Sequence, residues 1–410
     1  LTNDDAEVVV FLAAVLHDLG KGRGGDHSRI GAEIARRFCR RMALSDASTE
    51  TVSWLVEHHL LMSRFAFKRD TEDPKTVQDF VAIVQSPERL RLLLVLTAAD
   101  IRAVGPNVWN GWKGQLLREL YHEAAAAMAS GDPGGRRRAR VEDAKAALTG
   151  ALRTLQPKPW SEAAIQGWIA RHDPRYWLGF SAADHVRHAQ VLRAADARHA
   201  PLTVDFQVDR FNARTELLIY AADHAGLFMK IAGALALSGA SIVDARIFTT
   251  ADGMALDVLG IQEAESREAV DGTERLGRIR ANIEKGLRGE LYLDRDLARR
   301  RSLPQRADVF RVEPRVIVDN GASRTHSVIE VNGRDRPGLL YALAKALKDL
   351  GLVITSAHVS TYGERAVDVF YVKDVFGLKI TSKAKQARVE RALLEALRSP
   401  PAAGPGTVKL

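Results

Sequence analysis

One short pattern occurs twice in this chain, 112 positions apart, and it restricts the folds open to the C-terminal half more than any other feature. Leu217-Leu218-Ile219-Tyr220 reads as a strand that ends at Asp223-His224-Ala225-Gly226-Leu227. A helix from about Phe228 to Leu237, then Gly239 and a strand around Ile242 to Thr249, follow. The order recurs as Val328-Ile329-Glu330-Val331, Asp335-Arg336-Pro337-Gly338-Leu339, a helix to Leu350, Gly351 and a strand around Ile354 to Thr361. Asp223 and Asp335 (335 − 223), Gly226 and Gly338, and Gly239 and Gly351 are all offset by 112. The register slips by one in the next turn, where Asp257 aligns with Asp368 (368 − 257 = 111). Two strand-turn-helix-strand units of one design therefore follow residue 203.

The remainder is different in character. At 410 residues the chain exceeds one ordinary core, so two to four domains are expected. Residues 1 to about 125 read as helices: Val8 to Leu16 is apolar, Val52, Leu55, Val56 and His59 share one helical face, and Arg89 to Asp100 is strongly apolar. Residues 126–202 are rich in Ala and Arg and read as a helical connector, broken near Pro157-Lys158-Pro159 and Asp173-Pro174. No apolar run approaches the roughly 20 residues of a membrane helix, so no membrane partner is expected. Cys39 is the single cysteine, which suits a reducing, cytoplasmic setting. The chain begins at Leu1 with nothing resembling a signal peptide and is expected to be part of something longer.

The net charge of +8 raises nucleic acid as a partner. Arg136-Arg137-Arg138-Ala139-Arg140, after Gly131-Asp132-Pro133-Gly134-Gly135, reads instead as a solvated loop leading into a helix. No stacking aromatics interleave with it, so no nucleic acid is expected. The positive balance suits an acidic protein or a phosphate-bearing partner.

The chemistry concentrates in His17-Asp18-Leu19-Gly20-Lys21 and Gly24-Gly25-Asp26-His27-Ser28. An apolar helix carries its C-terminal polar residues inward, where an unpartnered His and Asp would be costly. A capped helix end with a satisfied His–Asp pair accounts for a bare dipeptide. The flanking glycines, with His59 and Asp100 further along, favour a metal site. Lys21 and Arg23 suit either contact with a substrate phosphate or plain solvation. Of His58 and His59, His59 lies on the apolar face and is the better candidate.

These strings resemble the HD family of metal phosphohydrolases. The resemblance implies that His17, Asp18, His27, His59 and Asp100 bind divalent metal, Mg²⁺ or Mn²⁺ first, with Asp18 and Lys21 in catalytic roles. That family's pattern begins with a further histidine on a preceding helix, and none precedes His17 here. The isolated chain is therefore expected to bind metal poorly or be inactive even if its parent is an enzyme.

Each C-terminal repeat resembles an ACT domain, a βαββαβ module that commonly binds amino acids. Asp335, Pro337, Gly338 and Leu339 match its first turn closely, whereas Asp223, Gly226 and Leu227 sit in a turn lacking the proline. Glycine lets a backbone approach a ligand, and helix N-terminal amides can hold a carboxylate. The expected fold is multidomain: an all-α HD-type domain (1–125), the connector (126–202), and two α+β ferredoxin-like ACT domains (203–300 and 315–410).

Further strings extend the likeness: Trp54-Leu55-Val56, His59-Leu60-Leu61-Met62-Ser63, Ala99-Asp100-Ile101, Trp109-Asn110-Gly111-Trp112-Lys113 and Leu116-Leu117-Arg118-Glu119-Leu120-Tyr121. With two ACT-like repeats, the chain resembles the C-terminal half to two-thirds of the bifunctional PII uridylyltransferase/uridylyl-removing enzyme family. That likeness implies removal of UMP from the PII signal protein, favoured by glutamine sensed through the ACT domains. The family's N-terminal nucleotidyltransferase signature is not evident. Two alternatives fit the same strings: an amino-acid-sensing regulatory module with a silent HD domain, and a (p)ppGpp hydrolase. The latter usually carries a synthetase between HD and ACT portions and a single ACT module.

Overall fold

The computed structural model describes residues 3–69, 74–103, 109, 111–130, 133–301, 313–362 and 365–398. The chain divides into two compact units, Leu1–Gly135 and Arg136–Leu410.

The first unit is helical: α1 Asn3–Leu16, α2 His27–Arg41, α3 Asp46–His58, α4 Leu61–Lys68, α5 Pro74–Val84, α6 Pro87–Ala103 and α7 Gly111–Ser130. Local chemistry sets several starts. The Asp26 carboxylate accepts from Ser28 N at 3.0 Å and caps α2, and Ser45 Oγ accepts from Ser48 N at 3.1 Å and caps α3. α1 packs against α3 and α6, and Val9 and Ala13 of α1, Val52, Leu55 and Val56 of α3, and Leu93 and Leu96 of α6 are all fully buried. Gly20 and Gly31 let the chain after α1 approach α2 almost backbone to backbone. A Cβ at Gly20 would sit 2.0 Å from His27 O.

The second unit begins within α8 Pro133–Arg153 and continues through α9 Glu162–Arg171, α10 Pro174–Gly179 and α11 Ala182–Ala197. Arg136-Arg137-Arg138-Ala139-Arg140, expected as a loop, lies inside α8, because nothing after Pro133 breaks helix propensity apart from two glycines in its first turn.

Next come β1 Leu202–Asp209, β2 Arg214–Ala222, α12 Leu227–Leu237, β3 Ala240–Thr249, β4 Met254–Glu263 and α13 Thr273–Arg288. α14 Leu293–Arg301 precedes the second copy: β5 Arg315–Asp319, β6 Ser327–Arg334, α15 Leu339–Asp349, β7 Leu352–Tyr362, β8 Arg365–Asp374 and α16 Lys383–Arg398.

Among the described residues, eight strands form one sheet in the order β1-β2-β4-β3-β7-β8-β6-β5. The copies join where Asp244, Ala245 and Arg246 of β3 run antiparallel to His358, Ala357 and Ser356 of β7. Both copies also share one core, in which α12 and α15 pack on each other and on the sheet. Each module therefore has the α+β ferredoxin-like layering, with its elements in the chain order ββαββα. The edge strand is entered before the first helix rather than after the second, and it occupies the same flank of the sheet either way.

The stretch read as a connector does more than connect. Trp160, Trp168, Tyr176, Trp177 and Leu192 cover the opposite face of the first module, against Leu218, Tyr220, Phe248, Leu256 and Val258. β2 and β4 are buried on both faces over most of their length, with a largely apolar run in each, so a second layer has to cover them. Among the described residues, no helix is long and apolar enough to cross a membrane.

Candidate metal centre

The geometry builds outward from the end of α1. His17 follows the last residue of that helix, and its Nδ1 lies 2.8 Å from Ala14 O. A carbonyl oxygen only accepts, so Nδ1 donates to it and Nε2 is the ring atom that faces the carboxylates. His59, just past α3, repeats the device with Nδ1 2.8 Å from Val56 O, and it is 1% exposed. Its burial comes from the apolar face of α3, while the neighbouring His58 lies half-buried with its ring 4.7 Å from that of Trp54.

Around these imidazoles stand the carboxylates. His17 Nε2 is 3.2 Å from Asp18 Oδ2 and 3.3 Å from Asp100 Oδ1, and His59 Nε2 is 3.9 Å from Asp18 Oδ1. His27 opens α2, and its ring centroid is 5.5 Å from that of His59; the His17 and His59 rings are 5.1 Å apart. One donor atom from each of Asp18, His27 and His59 lies within 4.8 Å of the others. His17 and Asp100 adjoin that group through the His17 contacts above. Asp100 sits in the last turn of α6 rather than at its end. Lys21 Nζ is 2.6 Å from Asp18 Oδ2 on the exposed side.

The electrostatics follow from these contacts. The hydrogen bond to the Asp100 carboxylate raises the His17 pKa above its ordinary value, despite opposing desolvation. The same bond lowers the Asp100 pKa. Burial lowers that of His59 and keeps its imidazole neutral, the form that coordinates metal. Mixed imidazole and carboxylate donors with two second nitrogens already fixed on carbonyls suit a divalent ion.

The repeated turns lie in the second unit. Gly226 and Gly338 occupy left-handed conformations (φ 92° and 73°) at the N-caps of α12 and α15, where no side chain caps either helix. Leu227 and Leu339 are buried beneath them, while Asp223, Asp335 and Pro337 are exposed. The first turn abuts the second module: a Cβ on Gly226 would stand 2.9 Å from Lys348 Cδ. Sequence reasoning did not single out Thr249, whose Oγ1 donates to Asp223 Oδ2 at 2.5 Å. The repeat carries the signal, since Thr361 lies 112 residues further on.

Comparison with known proteins places these features. The HD domain family model matches residues 2–100, and that of the ACR family N-terminal ACT domain matches residues 322–398. Residues 2–100 thus match an HD domain, a metal-dependent class, and residues 322–398 an ACT domain. Curated relatives are bifunctional uridylyltransferase/uridylyl-removing enzymes. The one from Azospirillum brasilense is 52% identical over 96% of this chain and 42% of its own length. That of Rhodospirillum rubrum is 51% identical over 95% and 41%, and that of Gluconobacter oxydans 47% over 97% and 42%. The chain is homologous to the C-terminal part of these enzymes and spans about two fifths of their length.

Proposed function

We propose that this chain carries the uridylyl-removing activity of such an enzyme: metal-dependent hydrolysis of the phosphodiester that joins UMP to the PII signal protein, with glutamine as effector through the ACT modules. The convergence of His17, Asp18, His27, His59 and Asp100 beside an exposed loop is the observation that carries this reading. In it, those five residues hold the metal, Mg²⁺ or Mn²⁺, and Asp18 has an oxygen toward each neighbouring imidazole. Such an ion acidifies water and offsets phosphoryl charge.

The protein groups have separate tasks. Ala14 O and Val56 O fix the rings of His17 and His59 through Nδ1, so neither imidazole must reorient. Lys21, held at its Nζ by Asp18, stands on the open side, where an entering phosphodiester would meet its charge. No side chain caps α12 or α15 at Gly226 and Gly338, and past Leu227 and Leu339, whose amides donate to His224 O and Arg336 O, the first turns of these helices would receive a carboxylate such as that of glutamine; Asp223, Leu227, Asp335, Pro337 and Leu339 complete the two candidate effector turns. A cytoplasmic location belongs to the same reading, supported by the lone, buried thiol of Cys39.

The test is hydrolysis of UMP from uridylylated PII by the protein, with and without divalent metal. Asp18→Asn, which keeps shape and removes charge, is expected to abolish hydrolysis. Undiminished turnover by that variant refutes the assignment.

A further inference from the structure

Asp257 lies within β4, and alternation places its side chain on the face covered by α12: Ala255, Leu259 and Ile261 belong to that core, Leu256 and Val258 to the opposite one. It is 1% exposed, and neither carboxylate oxygen has a hydrogen-bond partner among the described residues. A buried acid in this state is costly unless something pairs with it. The charge acting on it is that of Asp223, in the turn that enters α12. Between that turn and the row Ile219, Asp257 and Ile247 runs a row of small side chains, Ala221, Ala255 and Thr249.

The second module differs here. Arg336 takes the place of His224, 112 residues on, and its half-buried guanidinium stands in the field of Asp335. Of the corresponding Asp368, only one oxygen is buried without a partner. In the first module the two acids face each other with no ion pair among the described residues. Positive groups lie on the other side of the Gly226 turn. The amides of Phe228 and Met229 donate to nothing among the described residues, and the helix dipole makes that end positive. Lys348 of α15 lays its stem against Gly226 and makes no ion pair among the described residues.

We propose that the Gly226 turn seats a free α-amino acid in its own right, with its ammonium on Asp223 and Asp257 and its carboxylate on the Phe228 and Met229 amides and Lys348. The proposal rests on the effector reading above and names the groups that read the ammonium. A carboxylic acid without an amino group would leave Asp257 buried and unpaired, so the seat discriminates against it. Burial and the Asp223 charge push the free Asp257 carboxyl up to about 8. Near pH 7 it therefore holds a proton, which an arriving ammonium displaces.

The test is calorimetric titration of the full-length protein with glutamine and with glutaramate, which is glutamine without its amino group. Wild type is expected to bind glutamine about 10-fold or more tighter than glutaramate. It should also release protons on binding, read by comparing buffers of different ionisation heat. Asp257→Asn should lose both the preference and the proton release at this seat. Lys348→Met, at an exposed position, should weaken both ligands alike, since both carry the carboxylate. An Asp257→Asn isotherm identical to that of wild type overturns the seat and leaves the effector reading standing. Another α-amino acid that binds in place of glutamine, with the same dependence on Asp257, overturns glutamine as effector and keeps the seat. Binding of no α-amino acid overturns both.

Discussion

Gly20→Ala tests the geometry of the centre without touching a donor. A Cβ there would lie 2.0 Å from His27 O, 2.9 Å from His27 C and 2.9 Å from Gly31 N, all backbone atoms. Since real Cβ contacts stay above about 3 Å, the start of α2 has to retreat by about 1 Å. That displacement exceeds the roughly 0.2 Å tolerance of a metal–ligand bond, so His27 leaves the set while Asp18 and His59 remain. Overpacking of this kind costs about 1–3 kcal/mol of stability, and displacing a direct ligand should weaken metal binding by at least the roughly 10–100-fold that loss of a ligand's outer hydrogen-bond partner costs. Calorimetric titration with Mn²⁺ and a thermal melt, both on the full-length protein, read the two effects separately. Wild-type affinity and Tm in the alanine variant would refute both the close approach and the role of His27.

Three further outcomes follow from buried groups. Burial, with the Asp223 charge adding to it, pushes the carboxyl of Asp257 up to about 8, far above the unfolded value near 3.9. Its contribution is intact below pH 4 and is lost as pH rises toward 8, so the Tm gain of Asp257→Asn over wild type should grow from pH 5 to pH 8; a pH-independent difference counts against it. His172, pushed down to about 3 by burial, and His185 and His188, also lowered, stay neutral around Tyr176 in the helical layer. Unfolded histidine takes up protons first, so stability should fall as pH drops below about 6.5, and His172→Gln should flatten that slope in melts from pH 7.5 to 5. Gly338→Val forces a β-branched residue to φ 73°, a strain of about 1–3 kcal/mol, and should weaken glutamine binding in calorimetry on the whole chain without altering metal content. Normal glutamine affinity would move the site to the Gly226 turn or away from both.

Much of the C-terminal architecture was legible because repetition is independent of propensity: matched glycines placed α12 and α15 and the strands on either side of them. The edge strands β1 and β5 were less visible. β1 is only partly apolar, and β5 offers five residues with no repeat signal. The covering layer was hidden for another reason. Trp160, Trp168 and Tyr176 are scattered among alanines and arginines, and only the two-sided apolarity of Leu217 to Ala221 hints that something lies over the sheet. At the centre, the HD dipeptide and the apolar face bearing His59 pointed to the residues that meet. The His17–Asp100 contact depends on how α1 packs on α6, which no local pattern encodes.

The seam between β3 and β7 has a consequence for how the two modules answer a ligand. Modules that associate as separate chains come apart on dilution, and their response depends on protein concentration. Here the partner is covalently attached, so its effective concentration is fixed by the chain and cannot be titrated away. Any effector held where Gly226 meets Lys348 would find that junction assembled at every expression level. The dose–response curve would then report the effector alone, whatever the amount of protein in the cell.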